Sequence, residues 1–178
     1  MRVQNYTFYM KTLIKKKTTI SDKDNLILLC DAKSKLSDFN LSKQELEYIK
    51  KEQKDNKEIV AINQYGRHIF IILPKKEKDT NKHAENCRLI GDVLAGRLKD
   101  VKSSLIIDVK ENQTEAMQIA EGMALSNYTF TKHQTEEKSN KLETIYMCKN
   151  SNKKALKELQ NIVDAVYLTR NLINEPFS

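Results

Sequence analysis

Two aspartates stand where strands are expected to end, and they are the first candidates for chemistry. Asp31 closes the apolar run from Asn25 to Cys30, and Asp108 lies near the end of the run from Ser104 to Val109. Sheet proteins often place functional groups at strand ends, and two carboxylates in one crevice could act as acid and base. Aspartate also ends strands because it suits turns. Without a third ligand the pair could hold a metal only weakly, so we interpret both as turn residues.

The histidines and cysteines form no recognised metal-binding motif. There are three of each: His68, His83, His133, Cys30, Cys87 and Cys148. A zinc site needs closely grouped ligands, and a catalytic thiol needs a neighbouring base. We expect surface or structural roles for the histidines and core packing for the cysteines, whose odd number and wide spacing favour reduced thiols. The sequence therefore predicts no catalytic residue, no cofactor-binding residue and no metal ligand in this chain.

The composition predicts a soluble globular domain, or one domain with a connector. Of the 178 residues, 31 are Lys or Arg and 24 are Asp or Glu, which gives a net charge of +7. Lysines cluster at 15–17 and 75–78, where loops are expected, and the others alternate with acidic residues. This pattern favours a solvated surface over a nucleic-acid interface, which would group its cations on one face. No apolar run is long enough for a membrane span, and the amino terminus lacks signal-peptide features, so we expect a cytoplasmic protein.

The hydrophobic pattern predicts an α/β fold with a mixed β-sheet flanked by helices. Strands are expected at residues 7–14, 25–30, 57–63, 68–73, 104–109 and 142–148, and helices at 42–53, 81–98 and after Asn112. Tyr65-Gly66 indicates a hairpin between the third and fourth strands. The domain would comprise residues 1–150, with a mobile polar loop from Lys132 to Lys141.

Residues 151–178 are predicted to form a connector helix. Ser151 and Asn152 are capping types, and Pro176 ends the helix. The apolar residues fall largely on one side: Ala155, Leu159, Ile162, Val163, Val166, Leu172 and Ile173. A stripe that continues to the last residues suggests a helix that connects to a domain outside this sequence.

Two segments resemble the leucyl aminopeptidases, peptidase family M17. The segment from Arg170 to Pro176 (Arg-Asn-Leu-Ile-Asn-Glu-Pro) resembles the Arg-Asp-Leu-Val-Asn-Glu-Pro segment that precedes the catalytic domain in that family. The segment from Ala120 to Lys132 resembles the Glu-Gly, Leu, Tyr-x-Phe segment of its amino-terminal domain. The resemblance is clear from about Leu89 onward. It departs from the family pattern at three places: Asn171, His133 and Phe177-Ser178.

The resemblance implies a macro-domain-like fold and places catalysis in a later domain. In this family that domain binds two divalent metals, zinc or manganese. Its signature segments, around Lys-Gly-x-x-x-Asp-x-Gly-Gly and Asn-Thr-Asp-Ala-Glu-Gly-Arg, do not occur here. The chain is therefore expected to be the amino-terminal, non-catalytic domain of an enzyme that removes amino-terminal residues from peptides, as a hexamer when complete. It would be either a piece cut at the domain boundary, which we favour, or a stand-alone regulator.

Two other functions are left open: a binding module for ADP-ribose or DNA, and a structural spacer. Macro domains that bind ADP-ribose cradle its phosphates with glycine-rich loops, because only glycine lets backbone N–H groups approach so closely. Of the four glycines, Gly66 lies in the expected hairpin. Gly91, Gly96 and Gly122 fall within helical patterns and are predicted to permit close helix packing. The sequence therefore does not predict an ADP-ribose site.

Overall fold

A six-stranded mixed sheet lies at the centre of the fold. The computed structural model describes residues 12–31, 33–130, 141–148 and 150–175. The strands are β1 (Leu13–Lys16), β2 (Leu26–Leu29), β3 (Ile59–Asn63), β4 (His68–Ile72), β5 (Ser103–Asp108) and β6 (Thr144–Met147). Their order in the sheet is β1-β6-β5-β2-β4-β3. Five strands are parallel and β3 pairs antiparallel with β4, so the predicted mixed sheet is confirmed.

The central strand β2 shows why the apolar runs form a doubly covered sheet. All four of its residues are completely buried, and successive side chains point to opposite faces. Ile27 and Leu29 belong to one core cluster, whereas Leu26 and Leu28 belong to a second cluster on the other face. A continuous apolar run is what a strand buried on both faces requires.

Helices cover both faces of this sheet, as predicted. They are α1 (Lys43–Lys54), α2 (Thr80–Arg97), α3 (Gln113–Ser126) and α4 (Lys153–Asn174), together with a 3-10 turn at Ser37–Phe39. Apolar residues of α2, α3 and α4 join the cluster of Ile27, whereas Ile49 of α1 joins the cluster of Leu26. No helix in the described ranges has the length and apolar character needed to cross a membrane.

Local chemistry sets several of the element boundaries. The side chain of Ser42 accepts from the backbone N–H of Glu45, and the Glu45 carboxylate accepts from the N–H of Ser42, a capping box that begins α1. The hairpin between β3 and β4 turns at Tyr65, whose φ of 58° is left-handed. The Tyr65 N–H donates to the side-chain oxygen of Asn63 at 2.9 Å. The start of α1 and the position of the hairpin agree with the sequence analysis.

The apolar stripe of α4 is narrower than predicted. Its buried residues are Leu156, Leu159, Val163 and Tyr167, which recur at helical spacing. Ile162 is half exposed, and Leu172 and Ile173 are 66% and 76% exposed. The apolar side of α4 predicted from the sequence is therefore buried only in part, and its last turn is exposed.

Two other predicted segments lie partly outside the described residues. Within the described residues, the strand expected at 7–14 is seen from Leu13 and extends beyond the expected end, to Lys16. Lys15 and Lys16 therefore lie in β1 rather than in a loop, and residues 1–11 are outside the description. Residues 132–140 of the loop expected between Lys132 and Lys141 also lie outside the described residues. The boundary between residues 150 and 151 stays a prediction.

Candidate functional site

Asp31 and Asp108 lie at the carboxyl edge of neighbouring parallel strands. Asp108 ends β5 and pairs with Leu29 of β2, and Asp31 follows β2 by two residues. Asp31 is exposed and lines a crevice with residues of α1, whereas Asp108 lines crevices beside Cys148 and Asn150. The carboxylates therefore line separate crevices, and the alternative that they form an acid–base pair in one crevice is wrong.

The two aspartates also differ in their electrostatic environment. Hydrogen bonds from the Ser34 hydroxyl and the Lys33 N–H, both at 2.9 Å, lower the pKa of Asp31. Burial raises the pKa of Asp108, and its Oδ1 has no hydrogen-bond partner within the described ranges. Asp31 is thus a turn carboxylate, as interpreted, whereas Asp108 is a partly buried carboxylate whose charged form is disfavoured by burial.

A second group of polar side chains meets between the amino-terminal halves of α2 and α3. Potential ligand atoms of His83, Cys87 and Glu115 all lie within 4.8 Å of one another. His83 Nε2 is 3.1 Å from Glu115 Oε1. Cys87 is completely buried and Glu115 is 7% exposed. This is the one group of three or more histidine, cysteine and acidic residues that the described residues bring together with metal-like spacing.

The carboxylate of Glu115 is held by three partners. Asn112 Nδ2 donates to Oε1 at 2.7 Å, Lys110 Nζ pairs with Oε2, and His83 faces Oε1. Asn112 is also the N-cap of α3, since its side-chain oxygen accepts from the Glu115 N–H. The cap and the ion pair thus fix the carboxylate at the helix start, where the helix dipole also favours a negative charge.

A backbone contact between α2 and α3 brings these side chains together. A Cβ at Gly91 would overlap the carbonyl oxygen of Ile119, and a Cβ at Gly122 would overlap that of Arg88. The prediction of close helix packing is confirmed at Gly91 and Gly122. It is wrong at Gly96, where a Cβ would meet nothing within 4 Å because the residue faces solvent.

The cysteines and the other histidines were predicted to have structural or surface roles. Burial raises the pKa of Cys30 from 9.0 to about 12 and that of Cys87 to about 11, so neither is an activated thiol. Core packing is confirmed for both, and Cys148 is partly buried. His68 stacks on Phe70 in β4. His133 lies outside the described residues.

The sequence analysis missed the grouping of His83, Cys87 and Glu115, although part of its signal was present. His83 and Cys87 are four residues apart, a spacing that puts both side chains on one face of α2. Glu115 comes from another helix, 32 residues along the chain from His83. Its approach depends on the contact between the two helices and could not be predicted from spacing.

Comparison with solved structures finds the same fold within known enzymes. A mutant tomato leucine aminopeptidase superposes with a TM-score of 0.66 over 97% of this chain, at 17% sequence identity. This chain has the fold of part of a leucine aminopeptidase. The match covers 40% of the tomato chain, so the present chain spans well under half of that enzyme's length.

A second enzyme has the same fold in part of its chain. The bottromycin maturation enzyme BotP in complex with Mn matches 86% of this chain and 32% of its own, at 13% identity and a TM-score of 0.60. Another BotP structure matches 86% of this chain with a TM-score of 0.57. No protein-family model matches the sequence, and no curated protein matches it significantly. The α/β prediction and the structural likeness to leucine aminopeptidases are confirmed.

Proposed function

We propose that this chain is the amino-terminal, non-catalytic domain of a leucyl-aminopeptidase-like metallo-exopeptidase. The observation that carries the proposal is the structural match to the tomato enzyme, which covers nearly all of this chain and 40% of that one. The intact enzyme would remove amino-terminal residues from peptides with two zinc or manganese ions, as a cytoplasmic hexamer. The Mn in one BotP structure supports a divalent metal in such an enzyme.

Contacts between the two segments that resemble the aminopeptidases also support the proposal. The hydroxyl of Tyr128 donates a hydrogen bond to Asn171 Oδ1 at 2.8 Å. The guanidinium of Arg170 donates to the carbonyl of Leu125 at 2.7 Å and lies 5.4 Å from the centre of the Tyr128 ring. Residues that are 43 to 45 positions apart in sequence thus meet where α4 passes the end of α3. The two segments that carry the resemblance therefore form one structural unit in this chain.

The chemistry of the described residues supports a non-catalytic role. A two-metal hydrolase needs several carboxylates that converge on both ions and an open position for water. His83, Cys87 and Glu115 supply a single carboxylate, and Lys110 already neutralises it. Asp31 and Asp108 line different crevices. We therefore infer that residues 1–178 do not hydrolyse peptides by themselves.

The exposed end of α4 offers a surface for a further domain. Leu172 and Ile173 expose 66% and 76% of their surface. Exposed apolar side chains grouped at a helix end are typical of a contact surface. We infer that a catalytic domain following α4 would cover this end.

A direct test compares two lengths of the protein. The reading frame that follows Ser178 is read first, and the chain is then purified with and without the segment it encodes. Both are assayed on leucine amide with added manganese, after removal of host peptidases. Turnover by the longer protein alone is the expected result. Metal-dependent turnover by residues 1–178, or a following segment without metal-binding carboxylates, would overturn the proposal.

A further inference from the structure

We propose that His83, Cys87 and Glu115 form a binding site for one zinc ion that links α2 to α3. Imidazole nitrogen, thiolate sulfur and carboxylate oxygen are the three usual protein ligands of zinc. Their ligand atoms lie within 4.8 Å of one another, and two of the three residues are buried. The sequence analysis expected no metal ligand here, and the geometry leads to the opposite inference.

The hydrogen bonds of His83 give an independent reason for a cation at this point. Nδ1 lies 3.1 Å from the carbonyl oxygen of Lys75, which can only accept, so Nδ1 carries a proton. In the neutral ring, Nε2 then turns its lone pair toward Glu115 Oε1, also 3.1 Å away. Two acceptors that face each other repel, and either a second ring proton or a metal ion removes the repulsion. A carbonyl on the distal nitrogen is the usual support for a metal-bound histidine.

Cys87 and Glu115 are placed to complete the ligand set. The Cys87 side chain is fully buried, and its Sγ lies within 4.8 Å of ligand atoms of His83 and Glu115. Glu115 is oriented by Lys110 on one oxygen and by Asn112 on the other. Zinc would bind between Glu115 Oε1 and His83 Nε2 and replace their direct contact. The ion pair between Lys110 and Glu115 Oε2 would stay intact.

The dimensions and ligand types favour zinc over manganese. Zinc–ligand bonds of about 2.0–2.3 Å in a tetrahedron place the ligand atoms roughly 3.3–3.8 Å apart. The separation of His83 and Glu115 is already near this range, and Cys87 needs a shift of about 1 Å or a little more. A thiolate favours zinc, whereas manganese prefers oxygen ligands. The side chain of His83 is 20% exposed, which leaves water access to the fourth position.

Metal titration of the 178-residue chain tests the site. Metal-free protein is titrated with Zn²⁺ in competition with a coloured chelator, and with Co²⁺ to record the near-ultraviolet band of a cobalt–thiolate bond. We expect one equivalent of zinc, a cobalt–thiolate band, and zinc affinity at least tenfold above that for Mn²⁺. Zinc should also raise the Tm.

Variants identify the ligands. Cys87→Ser should abolish the cobalt–thiolate band, and both Cys87→Ser and His83→Gln should weaken zinc binding by about 100-fold or more. Cys148→Ser and His68→Gln are the matched controls and should bind as the parent does. Circular dichroism of the metal-free variants checks their folding. Absence of stoichiometric zinc binding, absence of the band in the parent, or parental affinity in His83→Gln would each overturn the proposal.

Discussion

Gly91 of α2 and Gly122 of α3 approach each other so closely that neither position has room for a side chain. A Cβ at Gly91 would lie 3.1 Å from the carbonyl carbon of Gly122 and would overlap the carbonyl oxygen of Ile119. The backbones of α2 and α3 are therefore in direct contact at Gly91 and Gly122. The same contact sets the distance between His83 and Cys87 on α2 and Glu115 on α3, since all three lie one to three turns away along these helices.

The first prediction concerns this helix contact. Gly91→Ala should lower the free energy of unfolding by about 1–3 kcal/mol, because the methyl group must push rigid backbone aside. Gly96→Ala is the matched control in the same helix. It meets open space and should stabilise the protein by up to about 1 kcal/mol, the difference in helix propensity. Urea unfolding measures both changes, and equal stabilities of the two variants would contradict the close contact.

The second prediction concerns the two ends of α4. Leu159 is buried against the core, so Leu159→Ala should lower the free energy of unfolding by about 2–5 kcal/mol. Leu172 lies on the same helix but is 66% exposed, and Leu172→Ala should change it by less than about 0.5 kcal/mol. Hydrogen exchange should find the turns after Tyr167 less protected than those around Leu159. Equal, strong protection along the helix in a monomer would refute this prediction.

The third prediction follows from the buried thiol of Cys30. Burial raises its pKa from 9.0 to about 12 in the folded protein. Below pH 9 both states keep the proton, and above pH 9 the unfolded chain loses it first. The unfolded state then binds fewer protons, so stability falls as the pH rises, by about 1.4 kcal/mol at pH 10.

Urea midpoints measured from pH 7 to pH 10 check this dependence. Cys30→Ala should lose about 1.4 kcal/mol less over that interval than the parent does. Val60→Ala, which shortens a side chain in the same core cluster without removing a titrating group, should keep the parental dependence. An unchanged pH dependence in Cys30→Ala would show that the thiol does not contribute.

The fourth prediction is that the chain binds neither ADP-ribose nor a specific DNA sequence. Gly91 and Gly122 are occupied by the helix contact, Gly66 lies in a hairpin, and Gly96 faces solvent within α2. Two lysines of the first cluster also have partners, since Lys17 pairs with Asp24 at 2.7 Å and Lys16 donates to the Ser151 carbonyl.

Calorimetry with ADP-ribose should therefore show no micromolar binding. Any retention of DNA should be weak and should fall steeply with added salt, because it would rest on phosphate contacts alone. Micromolar affinity for ADP-ribose, or sequence-specific retention at physiological salt, would contradict the prediction.

The local features of this fold were available from the sequence. The capping box of Ser42 and Glu45, the hairpin at Tyr65 and the buried run of β2 each depend on residues within a few positions of one another. Local hydrogen bonding and side-chain periodicity determine such features, so the sequence is enough to predict them.

The strand order and the grouping of polar side chains were decided by tertiary structure. Nothing in the spacing of Asp31 and Asp108 shows that their side chains line different crevices of neighbouring strands. The amphipathic pattern of α4 could not show how deeply each apolar residue is buried: Leu159 is buried, whereas Ile162 is half exposed. His83 and Glu115 meet only because two glycines let their helices touch. Contacts of this kind depend on how separate elements pack against one another. Close packing is a property of the whole interior, so no single stretch of sequence determines it.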